Sequence, residues 1–346
     1  MNETKLEIYP KRRQQSFETE LRLLKEADLS IRNRKLITEF QNYLFSTNSG
    51  NIRVAKLSSQ IRTICRWLKN IDETTTELDQ LTKKDVSNLV AFINRLTEQA
   101  EATKHDYKRA LKQFFRWFKE EDKRTYSKID EERDEARKLY HYLEKEVTSS
   151  LKRKQADPNT ILTKEDIKII LDTGAISPRE KAFISLLHET GCRAGEFLNL
   201  RIGDLNFKDG YVEIHIPEGK TGKRMIYARD SLPHLLRYVE IHPYKTNNNS
   251  LLWLSNAQHN RNEPLLYIGG KKLIERCFTR SQIKKRHNWH WFRHSRATIL
   301  APKLTEVMLC KYMGWTIGSE QVKNYVHLCS KQLEDVFLSL NGIMPA

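Results

Sequence analysis

This chain of 346 residues contains no run of about 18 apolar residues, so nothing in it reads as a membrane-spanning helix. Its first residues, Met1-Asn2-Glu3-Thr4-Lys5, lack the apolar core of a secretory signal, and a soluble, cytoplasmic protein is the expectation. Cysteine is sparse. Cys65, Cys192, Cys277, Cys310 and Cys329 are odd in number and widely spaced, with no Cys-x-x-Cys, which points to reduced thiols and not to a disulfide framework or a thiolate metal site. The closest group of histidines, His287, His290 and His294, lies in an arginine-rich segment that would repel a cation, so no metal is expected there. There is no internal repeat, low-complexity tract or nucleotide-binding motif, and no cofactor is implied.

Acidic residues are also in deficit: 44 Asp and Glu stand against 60 Lys and Arg, a formal charge of +16 at pH 7. Such a balance favours a polyanionic partner, because basic side chains release counterions from nucleic-acid phosphates. The length suggests roughly two domains.

Residues 1–14 form a polar arm ending in Lys11-Arg12-Arg13. From about Phe17 the apolar residues recur at helical spacing, as in Val54, Leu57, Ile61, Ile64 and Leu68 or Leu111, Phe114, Phe115 and Phe118, which predicts an all-helical domain over 15–120. Arg53, Lys56, Arg62, Arg66, Lys69, Lys104, Lys108, Arg109 and Lys112 are expected on its exposed faces, where they either line a duplex or are simply solvated. Residues 121–159 are dense in charge and read as a partly helical linker, with Leu139, Tyr142 and Leu143 able to give one helix an apolar side. Thr82-Lys83-Lys84-Asp85 and Thr163-Lys164-Glu165-Asp166 each place a capping threonine three residues before an acid, and so predict two helix starts, the second opening a new domain over 160–346. Within that domain Tyr211 to Ile216 alternates like a half-buried strand, Gly219-Lys220-Thr221-Gly222-Lys223 has turn chemistry, and Met225-Ile226-Tyr227 is extended again, which predicts a β-hairpin with lysines at its tip.

Chemistry concentrates near the end of the chain. His290 and Arg293 are three apart, so on a helix they share a face and can reach one phosphate, and Tyr325 follows 32 positions after Arg293 as a possible nucleophile. Tyr312 is its rival. Earlier, Thr190-Gly191-Cys192-Arg193-Ala194-Gly195-Glu196 sets an arginine beside a glycine turn.

Taken in order, Gly191-x-Arg193-x-x-Glu196, the hairpin Lys220, His290-x-x-Arg293, Met313-Gly314-Trp315 and Tyr325-Val326-His327 resemble the catalytic domain of tyrosine recombinases, the phage-type and archaeal integrases and their chromosome-resolving relatives. The resemblance covers about residues 160–340, and the N-terminal half is similar to the family's core-binding domain in layout only. It implies a mainly α-helical, two-domain, C-clamp-like protein with a small β-hairpin, which cuts and rejoins double-stranded DNA at specific sites through a 3′-phosphotyrosine, without metal or ATP. Carried over to this sequence, Arg193 and Arg293 would clamp the scissile phosphate, for which planar guanidinium forks are suited. His290 would bond the same phosphate and help move the tyrosine proton, Lys220 would protonate the departing 5′ oxygen, and Tyr325 would be the nucleophile. Glu196 would hold Arg193 in place, and His294 and His327 would only pack or hydrogen-bond.

Two features depart from the common pattern. Trp315 stands where most relatives have histidine, and as a donor-only indole it would bond a phosphate oxygen or buttress Tyr325, leaving acid–base duty to His290 and Lys220. The interval from Trp315 to Tyr325 is ten, one longer than usual, and Gly318 is placed to absorb the extra residue. The resemblance further implies a homo-oligomer on DNA, a tetramer in the synapse, with the apolar face of Leu333, Val336, Phe337 and Leu340 docking on a neighbouring protomer or on its own domain. The alternatives are a type IB topoisomerase, which rejoins the same strand, and a non-catalytic DNA-binding regulator.

Duplex binding is therefore expected to weaken steeply with salt, with about 0.9 counterions released per phosphate contact. Titrations from low to moderate salt measure it, and a flat log–log plot would show that the charge of +16 serves something else.

Overall fold

The computed structural model describes residues 12–148, 160–219 and 222–325. The chain divides into two compact units, one within Pro10–Lys152 and the other within Arg153–Ala346. Each has a core of its own.

The first unit is built from α1 (Arg12–Glu26), α2 (Ile31–Ser46), α3 (Asn51–Leu68), α4 (Lys83–Arg95), α5 (Glu101–Glu121) and α6 (Asp130–His141). The first of these begins at Arg12, inside the stretch expected as a basic arm; residues 1–11 lie outside the described residues. The capping box anticipated at Thr82 forms: its hydroxyl accepts from Asp85 N, and the Asp85 carboxylate accepts from Thr82 N. Apolar residues of helical period converge on Phe40, Ile61, Ile64, Phe114 and Phe115, with Phe40 and Phe114 meeting edge to face at 5.3 Å.

Two expectations change here. Arg62, Lys104 and Lys108 are buried, not exposed. Arg62 donates from Nε and Nη2 to the two Glu20 oxygens at 2.9 Å, while Lys104 and Lys108 reach back to Asn94 near the end of α4, where helix carbonyls lack partners. Arg53, Lys56, Arg66, Lys69 and Arg109 remain exposed. The charged segment after residue 120 is also more than a tether: Ala136, Leu139, Tyr140 and Leu143 bury their side chains in this core, and the Tyr140 hydroxyl donates to the buried Asp122 carboxylate at 2.8 Å. A charged sequence can dock in this way because one apolar stripe is enough to hold a helix.

The second unit contains α7 (Lys164–Ile169), α8 (Pro178–Thr190), α9 (Ala194–Leu198), a sheet of β1 (Leu205–Lys208), β2 (Tyr211–Gly219) and β3 (Gly222–Ala228), then α10 (Leu232–Glu240), α11 (Tyr267–Ser281), α12 (Trp289–Leu300) and α13 (Glu306–Met313). Thr163 and Asp166 form the second capping box. The predicted hairpin is present, and β1 pairs antiparallel to β2, giving the order β1-β2-β3 with Ile214 opposite both Leu205 and Ile226. Val212, Ile214 and Ile216 bury alternately, as the sequence pattern requires.

At the centre lies α8, buried along most of its length, with Phe183 against Phe197, Trp253 and Trp289. The start of the unit is tied to it from two sides. Leu162 N donates to Ser295 Oγ on α12 at 2.9 Å, and the Leu162 carbonyl lies 3.1 Å from His188 Nε2 on α8. Among the described residues no helix is long and apolar enough to cross a membrane.

Candidate active site

The ends of α8, α12 and α13 meet at the site. α8 stops at Gly191, which has φ +58°, and a Cβ there would lie 2.8 Å from Arg296 Cβ, so both backbone conformation and space call for glycine. Beyond that turn Arg193 caps α9. Arg293, buried on α12, donates from Nη1 to Gly191 O at 3.1 Å and from Nη2 to Met313 O. Arg193 Nη2 donates to Gly314 O at 2.8 Å. The two guanidinium groups thus take successive carbonyls at the C-terminus of α13, where the helix ends in a left-handed Gly314 and leaves its last carbonyls without helical partners. Burial first, and the nearby Arg193 charge second, push Arg293 down to about 10, still cationic at neutral pH.

Glu196 balances this charge. Its Oε1 accepts from Arg193 Nη1 at 2.8 Å, and its Oε2 accepts from Arg193 N at 3.0 Å and from Arg224 Nη2 at 2.8 Å. Burial acts to raise its pKa, but the bonds and charges of Arg224 and Arg193 outweigh that and hold the carboxyl down at about 2.

Tyr325 follows a short 3₁₀ turn, Val322–Asn324, and is 6% exposed. Its Oη lies 2.8 Å from His294 Nδ1, and its ring stacks on Trp315 at 5.7 Å between centroids, with 19° between planes. Trp315 in turn lies beneath the Arg293 guanidinium at 5.4 Å. Gly318, with φ +74°, takes a left-handed conformation within the interval joining Trp315 to Tyr325. Burial raises the Tyr325 phenol to about 12, with Arg293 acting in the opposite sense. His294 and His290 are both held below the ordinary imidazole value, chiefly by desolvation, and then by His290 and Arg293 respectively. Both are therefore neutral at neutral pH.

The structure thus brings Arg193, Arg293, Trp315 and Tyr325 into one connected cluster, and sets His290 on α12 one turn before His294. Lys220, Val326, His327 and the segment of Leu333 to Leu340 lie outside the described residues. Tyr312 is engaged elsewhere: its hydroxyl donates to Glu189 O at 2.9 Å and accepts from Arg296 Nε and Nη2 at 3.3 and 3.2 Å.

For two residues of the cluster the structure adds what the sequence leaves open. His294, expected only to pack or hydrogen-bond, does hydrogen-bond, and its partner is the Tyr325 hydroxyl, although by spacing it is one helix turn from His290 and on the same face. Arg224 has no role in the sequence reading, although strand alternation puts it on the inner face with Ile226 and Ala228. There it donates to the Tyr312 carbonyl at 2.9 Å as well as to Glu196.

Comparison with known proteins gives a matching result. The model of the phage integrase family matches residues 160–332. The tyrosine recombinase XerD of Oceanobacillus iheyensis is 26% identical over 192 residues, which are 52% of this chain and 61% of that relative, so the chain spans less than two thirds of it. XerH recombinase bound to its difH substrate in a pre-cleavage complex has the same fold at TM-score 0.57, with 18% identity and 97% of each chain covered. A lambda integrase tetramer bound to a Holliday junction gives TM-score 0.60 and 16% identity, covering 89% of this chain and 81% of that one.

Replacing Glu196 by Gln should cost about 3–5 kcal/mol in urea unfolding at pH 7, because it leaves the buried Arg224 guanidinium, and the partly exposed Arg193 beside it, without their counter-charge. The carboxylate's stabilisation is complete above the ordinary value of 4.5 and is lost as pH falls towards about 2, so the gap between wild type and Glu196→Gln should narrow over that range. A gap independent of pH would show that the carboxylate charge does not hold the cluster.

Proposed function

The chain belongs to the phage integrase family of tyrosine recombinases, enzymes of DNA cleavage and rejoining, and on that premise we propose how its own residues act. The observation that carries the proposal is the 2.8 Å contact between His294 Nδ1 and Tyr325 Oη, set against the Arg293–Trp315 stack. A phenol raised to about 12 is a poor nucleophile until something takes its proton. His294, neutral and with its proton on Nε2, accepts that proton on Nδ1 as the phenolic oxygen attacks phosphorus.

Arg193 and Arg293 meet the two non-bridging oxygens with the donors left over from their carbonyl contacts, and stabilise the charge that grows there. His290, exposed on the same helix, adds a further hydrogen bond to the phosphate. The bond from phosphorus to the 5′ oxygen breaks, and that oxygen takes its proton from Lys220, carried on the hairpin between β2 and β3; Lys223 contacts a backbone phosphate. The 3′-phosphotyrosine keeps the energy of the broken ester. A 5′-hydroxyl of another strand then attacks it, giving its proton to Lys220 as the phosphorus–tyrosine bond breaks and the His294 imidazolium returns its proton to the Tyr325 oxygen, so the duplex is resealed and neither ATP nor a metal ion is required.

Site-specific strand exchange, on double-stranded DNA and by a homo-oligomer that reaches a tetramer in the synapse, is favoured over a type IB topoisomerase or a non-catalytic regulator. The proteins it resembles include a recombinase and an integrase on DNA, one of them tetrameric. Such work places the protein with the DNA of the cytoplasm.

On a nicked suicide substrate with EDTA present, wild type and Tyr312→Phe should accumulate a covalent adduct in a denaturing gel, while Tyr325→Phe should bind DNA and form none. Adduct from Tyr325→Phe, or a strict need for magnesium, would contradict the assignment.

For wild type, the cleavage rate should be constant near neutrality and fall only as pH drops below the ordinary imidazole value of about 6.5, since His294 must be neutral to accept the proton. His294→Gln should lose this acid limb and slow cleavage by about 10² to 10⁴. An unchanged pH profile in that variant would remove His294 from proton transfer.

A further inference from the structure

A series of rings runs from α12 to Tyr325. Trp291 packs on His294 at 4.7 Å between centroids, His294 on Tyr325 at 5.5 Å, and Tyr325 on Trp315 at 5.7 Å. A guanidinium lies over the indole at each end, Arg286 on Trp291 at 5.2 Å and Arg293 on Trp315 at 5.4 Å. The chemistry proposed above uses Arg293, His294 and Tyr325 and leaves Trp291 without a part.

Trp291 is fixed on two sides. Its backbone N–H donates to the side chain of Asn288, the N-cap of α12, at 2.9 Å, and its indole N–H donates to the Thr160 carbonyl at 3.2 Å. Thr160 is the first described residue of the second unit. The two residues after it are held in the same way: the Ile161 carbonyl accepts from Lys285 Nζ at 3.0 Å, and Leu162 is tied to Ser295 and His188. The segment through which the chain enters the unit is thus bound to α12 by Trp291 and Ser295, which flank His294 in sequence.

Orientation is what His294 needs. Rotation of an imidazole about its last side-chain bond is soft, with broad and roughly two-fold wells, and a half turn would replace Nδ1 by a carbon facing Tyr325. The 2.8 Å contact with Tyr325 Oη requires one of the two orientations, and an indole packed against the imidazole from one helix turn away limits the rotation.

We propose that Trp291 is a positioning residue: held by the Thr160 carbonyl, its ring orients the His294 imidazole towards Tyr325. It acts only through His294. The proposal rests on the reading of His294 as the acceptor of the tyrosine proton, and it extends the site to the entry segment of the unit.

Cleavage of the nicked suicide substrate is followed in single turnover with protein saturating, so that binding does not limit the rate. Trp291→Leu should slow it by about 10- to 100-fold, the scale on which small misplacements of a reacting group act, with duplex affinity unchanged. Trp291→Phe, which keeps a ring but no N–H, should fall between that variant and wild type. In a His294→Gln background Trp291→Leu should cost nothing further, because its effect passes through the imidazole. Equal slowing in both backgrounds would overturn the proposal, as would a Trp291→Leu rate matching wild type while His294→Gln is slow. Should Trp291→Leu fail to fold, Trp291→Phe is put through the same cycle.

A second measurement needs neither DNA nor turnover. In the full chain with isotope-labelled imidazole nitrogens, Tyr325→Phe should shift the His294 magnetic-resonance signal, because it removes the hydrogen bond to Nδ1. In Trp291→Leu that shift should disappear, the bond being already lost; a shift of full size would show that Trp291 does not orient His294. If the shift disappears but His294→Gln cleaves at the wild-type rate, the positioning stands and only the proton-acceptor reading of His294 fails.

Discussion

Two guanidinium groups of like charge must be held side by side, one of them buried; this constraint shapes the second unit. Burial and the Arg193 charge both act against the charged form of Arg293. What offsets them is the C-terminus of α13, whose carbonyls at Met313 and Gly314 each accept from one arginine, together with the ionised Glu196. The dipole of a helix end and one carboxylate thus stabilise charge without consuming every donor, since a guanidinium has five N–H groups and the named bonds of Arg293 use two of them. The charges of this cluster are therefore positioned by the protein's own groups.

The position of Tyr325 depends on the same helix end. The chain leaves α13 through Gly314, so Trp315 lands beneath Arg293 and supports the face of Tyr325. Ala297, Ala301, Leu309, Cys310, Met313 and Val322 form a small core around Tyr325, separate from the core around α8. A tyrosine fixed by this cluster and by His294 is placed by packing of few residues. Its placement is correspondingly sensitive to the turn at Gly318 that returns the chain.

Arg224 links the sheet to this arrangement. It bonds both Glu196 and the Tyr312 carbonyl, and so ties β3 to α9 and α13. In the first unit a comparable ion pair lies in the core: Arg62 and Glu20 pair there, with Ser58 and Gln41 extending the network. Such a pair is costly to break, because a lone buried charge remains.

Much was legible without coordinates. Helical periodicity, two threonine caps and the alternation of β2 follow from local rules, which is why Val54 to Leu68, Thr82, Thr163 and the hairpin appear where the sequence implies them. The order of Arg193, His290, Arg293, Trp315 and Tyr325 could be recognised because each sits in a short local context. The burial of Arg62 and the docking of the charged segment at Tyr140 could not, since each depends on a partner at another helix, whereas strand β1 pairs with β2 only a few residues on, across Asp209-Gly210, a turn signal that the sequence does carry. The same reason separates the two histidines of α12. His290 and His294 lie on one helix face and are alike by spacing, and only the fold decides that the imidazole meeting Tyr325 Oη, 31 residues away, is that of His294. By itself the sequence determined which side chains could do this chemistry; packing between distant segments decided which of them touch, because contact across a fold is set by how whole elements bury their apolar faces and not by the residues that make it.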